Sequence, residues 1–191
     1  MAVANPRGMS RLKTSVNASD HSVGSSIAPV TLVEYGDFEC LYCRQAYSVV
    51  EELKKEFGSA LRFVFRQFPL SDLHPHASLA AEASEAAAYQ GKFWEMYHLL
   101  YENADALEFE DLIEYAEKIG LNMKQFMEDL DDGVFSEKIS EDVQGALRSG
   151  VRGTPTFFLN GVRYDEAWDF ETISELISEI LTSHDGIAFA G

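Results

Sequence analysis

The sequence is short of cysteine, of basic residues and of long apolar runs, and each shortage excludes a class of protein. Only Cys40 and Cys43 occur in 191 residues, so a small fold stapled by several disulfides is ruled out. No apolar run approaches the roughly 18 residues of a membrane-crossing helix, and no membrane partner is expected. Against 15 Lys and Arg stand 32 Asp and Glu, a formal charge of -17. That excess repels nucleic acid and anionic bilayers, so neither is an expected partner, and it reads as a solvated acidic surface. The first 26 residues are rich in Ser, Asn, Gly and Ala and lack the continuous apolar stretch of a secretion leader. They are expected to form a loose tail. As written, the chain is expected in the cytoplasm, and outside it only if a leader has been removed.

What is present suits one core of ordinary size, or one fold with a large insertion: 46% hydrophobic residues beside 25% charged. Residues 29–36 (PVTLVEYG) are a short β-branched run ending in Gly, which predicts a buried strand. From Cys43 onward Ala46, Val49, Val50, Leu53 and Phe57 recur at helical spacing until Gly58 stops them. Residues 61–68 (LRFVFRQF) alternate, with Leu61, Phe63 and Phe65 on one face and Arg62, Val64 and Arg66 on the other, so a second strand follows.

From residue 71 to residue 150 the pattern is helix after helix. The first has a face of small residues (Ala77, Ala80, Ala81, Ser84, Ala88) that a neighbour can approach closely. The second carries Phe93, Met96, Tyr97, Leu100 and Tyr101 as a core stripe. A third runs to Gly120, a fourth starts at Asn122 as N-cap, and a fifth spans about 134–149. Strand signals return in residues 156–159 (TFFL), and Asn160-Gly161 predicts a hairpin into residues 162–164. A last helix, capped by Asp169, buries Phe170, Ile173, Leu176, Ile177 and Ile180.

Cys40-Leu41-Tyr42-Cys43 falls where the first strand hands over to a helix. Unpaired backbone N–H groups and the positive end of the helix dipole stabilise a thiolate at Cys40, while Cys43, one turn in, is shielded. Two intervening residues let the sulfurs close a disulfide without large backbone movement. Two inert packed thiols, or half of a zinc site, are the other readings of such a pair. A zinc ion needs two more ligands, and the nearby candidates, His74 and His76, have a spacing unlike the usual ones. Those histidines are expected to be surface or interdomain polar groups at the head of the alanine-rich helix. Pro155, in Gly153-Thr154-Pro155-Thr156, opens a strand, where a missing N–H is tolerated.

Taken together, the chain resembles the DsbA-like branch of the thioredoxin superfamily over residues 27–181. DFECLYC (37–43), GKFWEMYHLLYEN (91–103), VRGTPTFFLNG (151–161) and the closing helix carry the match by their order and spacing. The resemblance implies an α/β fold: a thioredoxin-fold domain from residues 27–70 and 151–183, with an all-helical inserted domain, 71–150, capping the active-site face. Residues 184–191 are expected to be a C-terminal tail. It implies a thiol–disulfide oxidoreductase without cofactor or metal, acting on protein or small-molecule thiols and disulfides and served by a redox partner. In that reading Cys40 attacks and Cys43 resolves.

Glu34, six residues before Cys40, matches the carboxylate that the family keeps beneath the disulfide, where burial raises its pKa and lets it take the proton of Cys43. Its other reading is an exposed strand Glu, because parity is not fixed in so short a run. Leu41, Tyr42, Thr154 and Pro155 are implied to bind substrate, with a cis bond between Thr154 and Pro155, and Glu39 is expected to face water. The chain departs from the strongly oxidising members at Leu41-Tyr42, where they carry Pro-His. The missing positive charge points to a milder oxidant. A non-redox peptide- or metal-binding module on the same scaffold is the alternative from another class. The kappa glutathione transferase branch is a third, against which Cys43 argues.

Overall fold

Two apolar stretches that alternate from face to face build the centre of the sheet. The computed structural model describes residues 10–188, apart from the side chains of 184–188. In it β2 (Val30–Gly36) and β3 (Leu61–Gln67) pair in parallel, and β4 (Thr156–Leu159) runs antiparallel on the other side of β2. β5 (Val162–Tyr164) returns from β4 through Asn160 and Gly161, whose φ angles of 47° and 77° are those a two-residue hairpin turn needs. β1 (His21–Val23) pairs with the free side of β3, giving the order β1-β3-β2-β4-β5. The parallel step from β2 to β3 requires a crossover, and α1 (Leu41–Phe57) supplies it.

The central strands are buried on both faces, as a sheet covered by helices demands. Val30, Leu32, Phe63, Phe65 and Phe157 pack with Cys43, Ala46 and Val50 of α1 and with Ile173 and Ile177 of α7 (Phe170–Ala188). On the other face Val33, Tyr35, Val64 and Phe158 meet Ala146 of α6 (Ser136–Arg148) and Val151. Between β3 and β4 the chain forms α2 (Ala77–Tyr89), α3 (Phe93–Glu102), α4 (Phe109–Lys118), α5 (Met123–Asp131) and α6. Local chemistry starts them. Glu108 and Asp111 form a reciprocal capping box at α4, and Asn122 accepts from the Gln125 N–H at α5. Asp169 Oδ1 likewise accepts from the Thr172 N–H, 2.9 Å away, at α7. Among the described residues no helix is long and apolar enough to cross a membrane.

The expectation of a loose tail through residue 26 is corrected by Arg66. Arg66, on the strand face opposite Leu61, Phe63 and Phe65, is 2% exposed, and a buried guanidinium needs a partner for every donor. The N-terminal segment brings them. Arg66 Nε and Nη2 bind Asp20 at 2.7 and 3.0 Å, the remaining donors reach the carbonyls of Thr14 and Ser15 at 2.9 and 3.1 Å, and the Tyr35 hydroxyl accepts at 2.9 Å. The segment also pairs with the far edge of the sheet, where Leu12 N donates to Gly161 O at 3.0 Å and Arg163 N to Ser10 O at 2.9 Å. Residues 1–9 lie outside the described residues. The expected C-terminal tail is corrected likewise for 184–188, whose backbone continues α7, while 189–191 lie outside.

Asp20→Ala leaves the Arg66 charge buried with only neutral acceptors. It is expected to cost about 3–5 kcal/mol in urea unfolding. A loss below about 1 kcal/mol would show that this segment does not secure the sheet.

Candidate active site

The site is built where β2 ends. Gly36 permits the close approach: a Cβ there would sit 2.4 Å from the Phe65 ring and 2.9 Å from the Tyr101 hydroxyl. Asp37 then turns the chain, its carboxylate accepting Glu39 N at 2.8 Å and its carbonyl accepting Cys40 N at 3.2 Å. Cys40 thereby becomes the N-cap of α1, in extended geometry (φ -72°, ψ 121°), with no side chain bonded across the cap. The free N–H groups of the first turn are left to its sulfur.

Both cysteines are free thiols, Cys40 4% exposed and Cys43 fully buried. Their environments push them apart. A hydrogen bond from the Cys43 thiol is the main influence on Cys40. Burial opposes it, and the Thr154 side chain and the N–H groups of Cys43 and Tyr42 add to it, bringing the Cys40 thiol down to about 5. Cys43 moves the other way, well above the thiol range, through burial first, then its bond to Cys40 and the charges of Glu34 and Cys40. Cys40 Sγ lies 3.5 Å from the Thr154 carbonyl oxygen. The bond from Thr154 to Pro155 is cis.

Glu34 pairs across β2 with Phe65 and Phe157, and shares the face of Val30 and Leu32 that packs on α1. It is wholly buried with both carboxylate oxygens unpartnered, so burial, then the charge of Cys40, raises it to about 8. The exposed alternative for this residue is thereby removed. Leu41 and Tyr42 stand 61% and 60% exposed on the rim, beside the half-buried Thr154 and Pro155. The structure thus brings Cys40, Cys43, Glu34 and Thr154 together, with Leu41, Tyr42 and Pro155 bordering them.

Other members come from the helical insertion. His74 Nδ1 meets Asp37 Oδ2 at 2.8 Å, and His76 Nδ1 meets Glu39 Oε1 at 2.8 Å. Glu39, expected to face water, is corrected: its second oxygen also accepts His76 N at 2.6 Å. The sequence signal for these pairs was the matched spacing of D-F-E and H-P-H. The Tyr97 and Tyr101 hydroxyls, on a stripe read as core, are buried without partners, and burial with the charges of Glu34 and Cys43 raises both. Among the described residues no group of three or more His, Cys, Asp or Glu is placed to hold a metal ion.

A two-cysteine helix cap on a sheet of this order defines a thioredoxin-type protein. A family model described as thioredoxin matches residues 16–179, and the chain belongs to that family. Its fold is DsbA-like. The oxidised BdbD of Bacillus subtilis superposes with a TM-score of 0.78 at 24% identity, covering 92% of this chain and 97% of that one. Alpha-DsbA1 of Wolbachia pipientis superposes with a TM-score of 0.75 at 20% identity, covering 88% and 94%. In sequence the chain is 47% identical over 172 residues to Na(+)/H(+) antiporter NhaA 1 of Salinispora arenicola, covering 90% of this chain but 25% of that protein. It is 42% identical over 158 residues to Na(+)/H(+) antiporter NhaA of Herminiimonas arsenicoxydans, covering 83% and 25%.

Glu34 holds its proton more tightly folded than unfolded, so its contribution to stability is full below about 4.5 and is lost as pH rises through about 8. Cys40, shifted downward, contributes in the opposite sense. The difference between Glu34→Gln and the reduced parent isolates the carboxylate. The variant is expected to gain on the parent steadily across that window in chemical unfolding, and a constant difference would show Glu34 to be solvated.

Proposed function

We propose that this chain exchanges disulfides through Cys40 and Cys43, on the strength of one observation: two thiols one helical turn apart, one favoured as thiolate and the other as thiol. The Cys40 thiolate attacks one sulfur of a substrate disulfide. That S–S bond breaks, a mixed disulfide with Cys40 forms, and the second substrate sulfur leaves as a thiolate that takes up a proton. Glu34, its own proton passed to that departing thiolate, takes the proton of Cys43 as Cys43 attacks Cys40. The Cys40–Cys43 disulfide closes, the substrate sulfur bound to Cys40 departs as a thiolate that takes the proton now held by Glu34, and the substrate leaves as a dithiol. The same steps in reverse oxidise a dithiol, and the balance of the two directions follows the potential of the couple against its partner.

Leu41, Tyr42, Thr154 and Pro155 form the rim along which the substrate lies. Cys40 is nearly buried, so an approaching chain has to settle on that rim before its sulfur comes within reach. Glu34 suits its role because a carboxyl titrating near neutrality can both hold and release a proton at working pH.

Alkylation rates test the proposal. At pH 6 a thiol titrating near 5 is about nine-tenths ionised, against roughly 0.3% for a free cysteine. The lower nucleophilicity of the weaker base leaves a net advantage of about tenfold. Iodoacetamide is therefore expected to label Cys40 about ten times faster than a free cysteine at that pH. Cys43→Ala is expected to accumulate the mixed disulfide, and the likeness to antiporter sequences makes such a transporter the first protein in which to look for it. Labelling no faster than a free thiol would overturn the reading and favour a binding module.

A further inference from the structure

The dipeptide between the cysteines, Leu41-Tyr42, has no charge with which to hold a thiolate. Charge arrives from the insertion instead. His74 and His76, at the head of α2, carry the same one-residue gap as Asp37 and Glu39 in the loop that ends at Cys40, and the two sets meet rung to rung. In the inner rung, the fully buried Asp37 Oδ2 also accepts Leu70 N at 2.8 Å, so its charge is fixed in place. In the outer rung, His76 Nε2 reaches on to Glu108 Oε1 at 3.2 Å, which ties in the head of α4. The ionisable groups that face His74 are Asp37, Glu39 and Cys40, and those that face His76 are Glu39 and Glu108.

We propose that His74 is a positioning residue for Cys40: with Asp37 it clasps the redox loop to the helical insertion and sets an imidazolium toward the thiolate, in place of the charge the dipeptide lacks. The outer rung of His76, Glu39 and Glu108 keeps the clasp closed. The proposal rests on the reading of Cys40 as the attacking sulfur. Burial works against a charged His74, but the hydrogen bond and charge of Asp37, and the charge of Cys40, outweigh it and hold the ring above its usual value. Sulfur and ring are both charged from about 5 up to that raised titration, and their attraction is lost as pH rises through it.

His74→Gln keeps an amide donor for Asp37 and removes the charge. Followed by the ultraviolet absorbance of the thiolate, it is expected to weaken the acid constant of Cys40 about tenfold, and His74→Lys to restore most of it. The potential of the couple moves to more negative values in His74→Gln, because the reduced form loses a stabilising charge. A measurement on the unaltered protein guards against a misfolded variant. By reciprocity the His74 ring, followed by NMR, titrates at higher pH in the dithiol protein than in the disulfide form. Identical ring titrations in the two forms, or an unchanged Cys40 titration in a folded His74→Gln, overturn the proposal alone. An unaltered protein whose Cys40 reacts no faster than a free thiol overturns both this and the reading beneath it.

Discussion

Placing a carboxyl, two thiols and two phenols within one apolar cluster is tolerable only while at most one of them is ionised. Charge on any member penalises the rest, because little water is available to screen it. Cys40 sits at the edge of that cluster, where backbone donors reach it, so the charge belongs there. Glu34, Cys43, Tyr97 and Tyr101 consequently keep their protons. The constraint also drives the proposed cycle forward. Once Cys40 is engaged in a mixed disulfide its charge is gone, and with it the repulsion that helped hold Glu34 and Cys43 protonated. The resolving sulfur becomes easier to ionise at the step that needs it.

The helical insertion belongs to this arrangement. α3 lays Tyr97 and Tyr101 against Phe38 and Phe65 in edge and tilted ring contacts, forming the apolar wall that desolvates Glu34. The head of α2 supplies the histidines that grip the loop leading to Cys40. The thioredoxin-fold core contributes the sulfurs, the carboxyl and the Thr154 carbonyl; the insertion contributes the dry wall and the two histidines. The proposed redox chemistry is therefore shared between segments far apart in sequence.

Local patterns carried most of the fold and the heart of the site. Strand alternation, helical stripes, the Asn122 and Asp169 caps, the Asn160-Gly161 turn and the cysteine spacing are each written within a few residues, and the structure shows each where that chemistry puts it. Long-range partners were less legible. The orientation of Glu34 depended on its register with Phe65 and Phe157, which no run of seven residues declares. The partners that let Arg66 be buried were not legible from its strand, because the segment that satisfies it lies 46 positions upstream. The histidine–carboxylate pairs span 37 positions, and only their matched gaps hinted at a meeting. The N-terminal segment has the composition of a tail, yet backbone pairing, which composition does not report, makes it part of the sheet.

That segment also decides how the sheet ends. Residues 10–12 bond along β5, while β1, three residues long, closes the opposite flank on β3. One stretch of chain thus shields both flanks, leaving, among the described residues, no long row of unpaired amides and carbonyls for an extended peptide to join. In the proposed exchange a substrate chain would therefore settle on the sulfur-bearing end of the molecule and not add a strand, and loss of those first residues would bare the edge of β5.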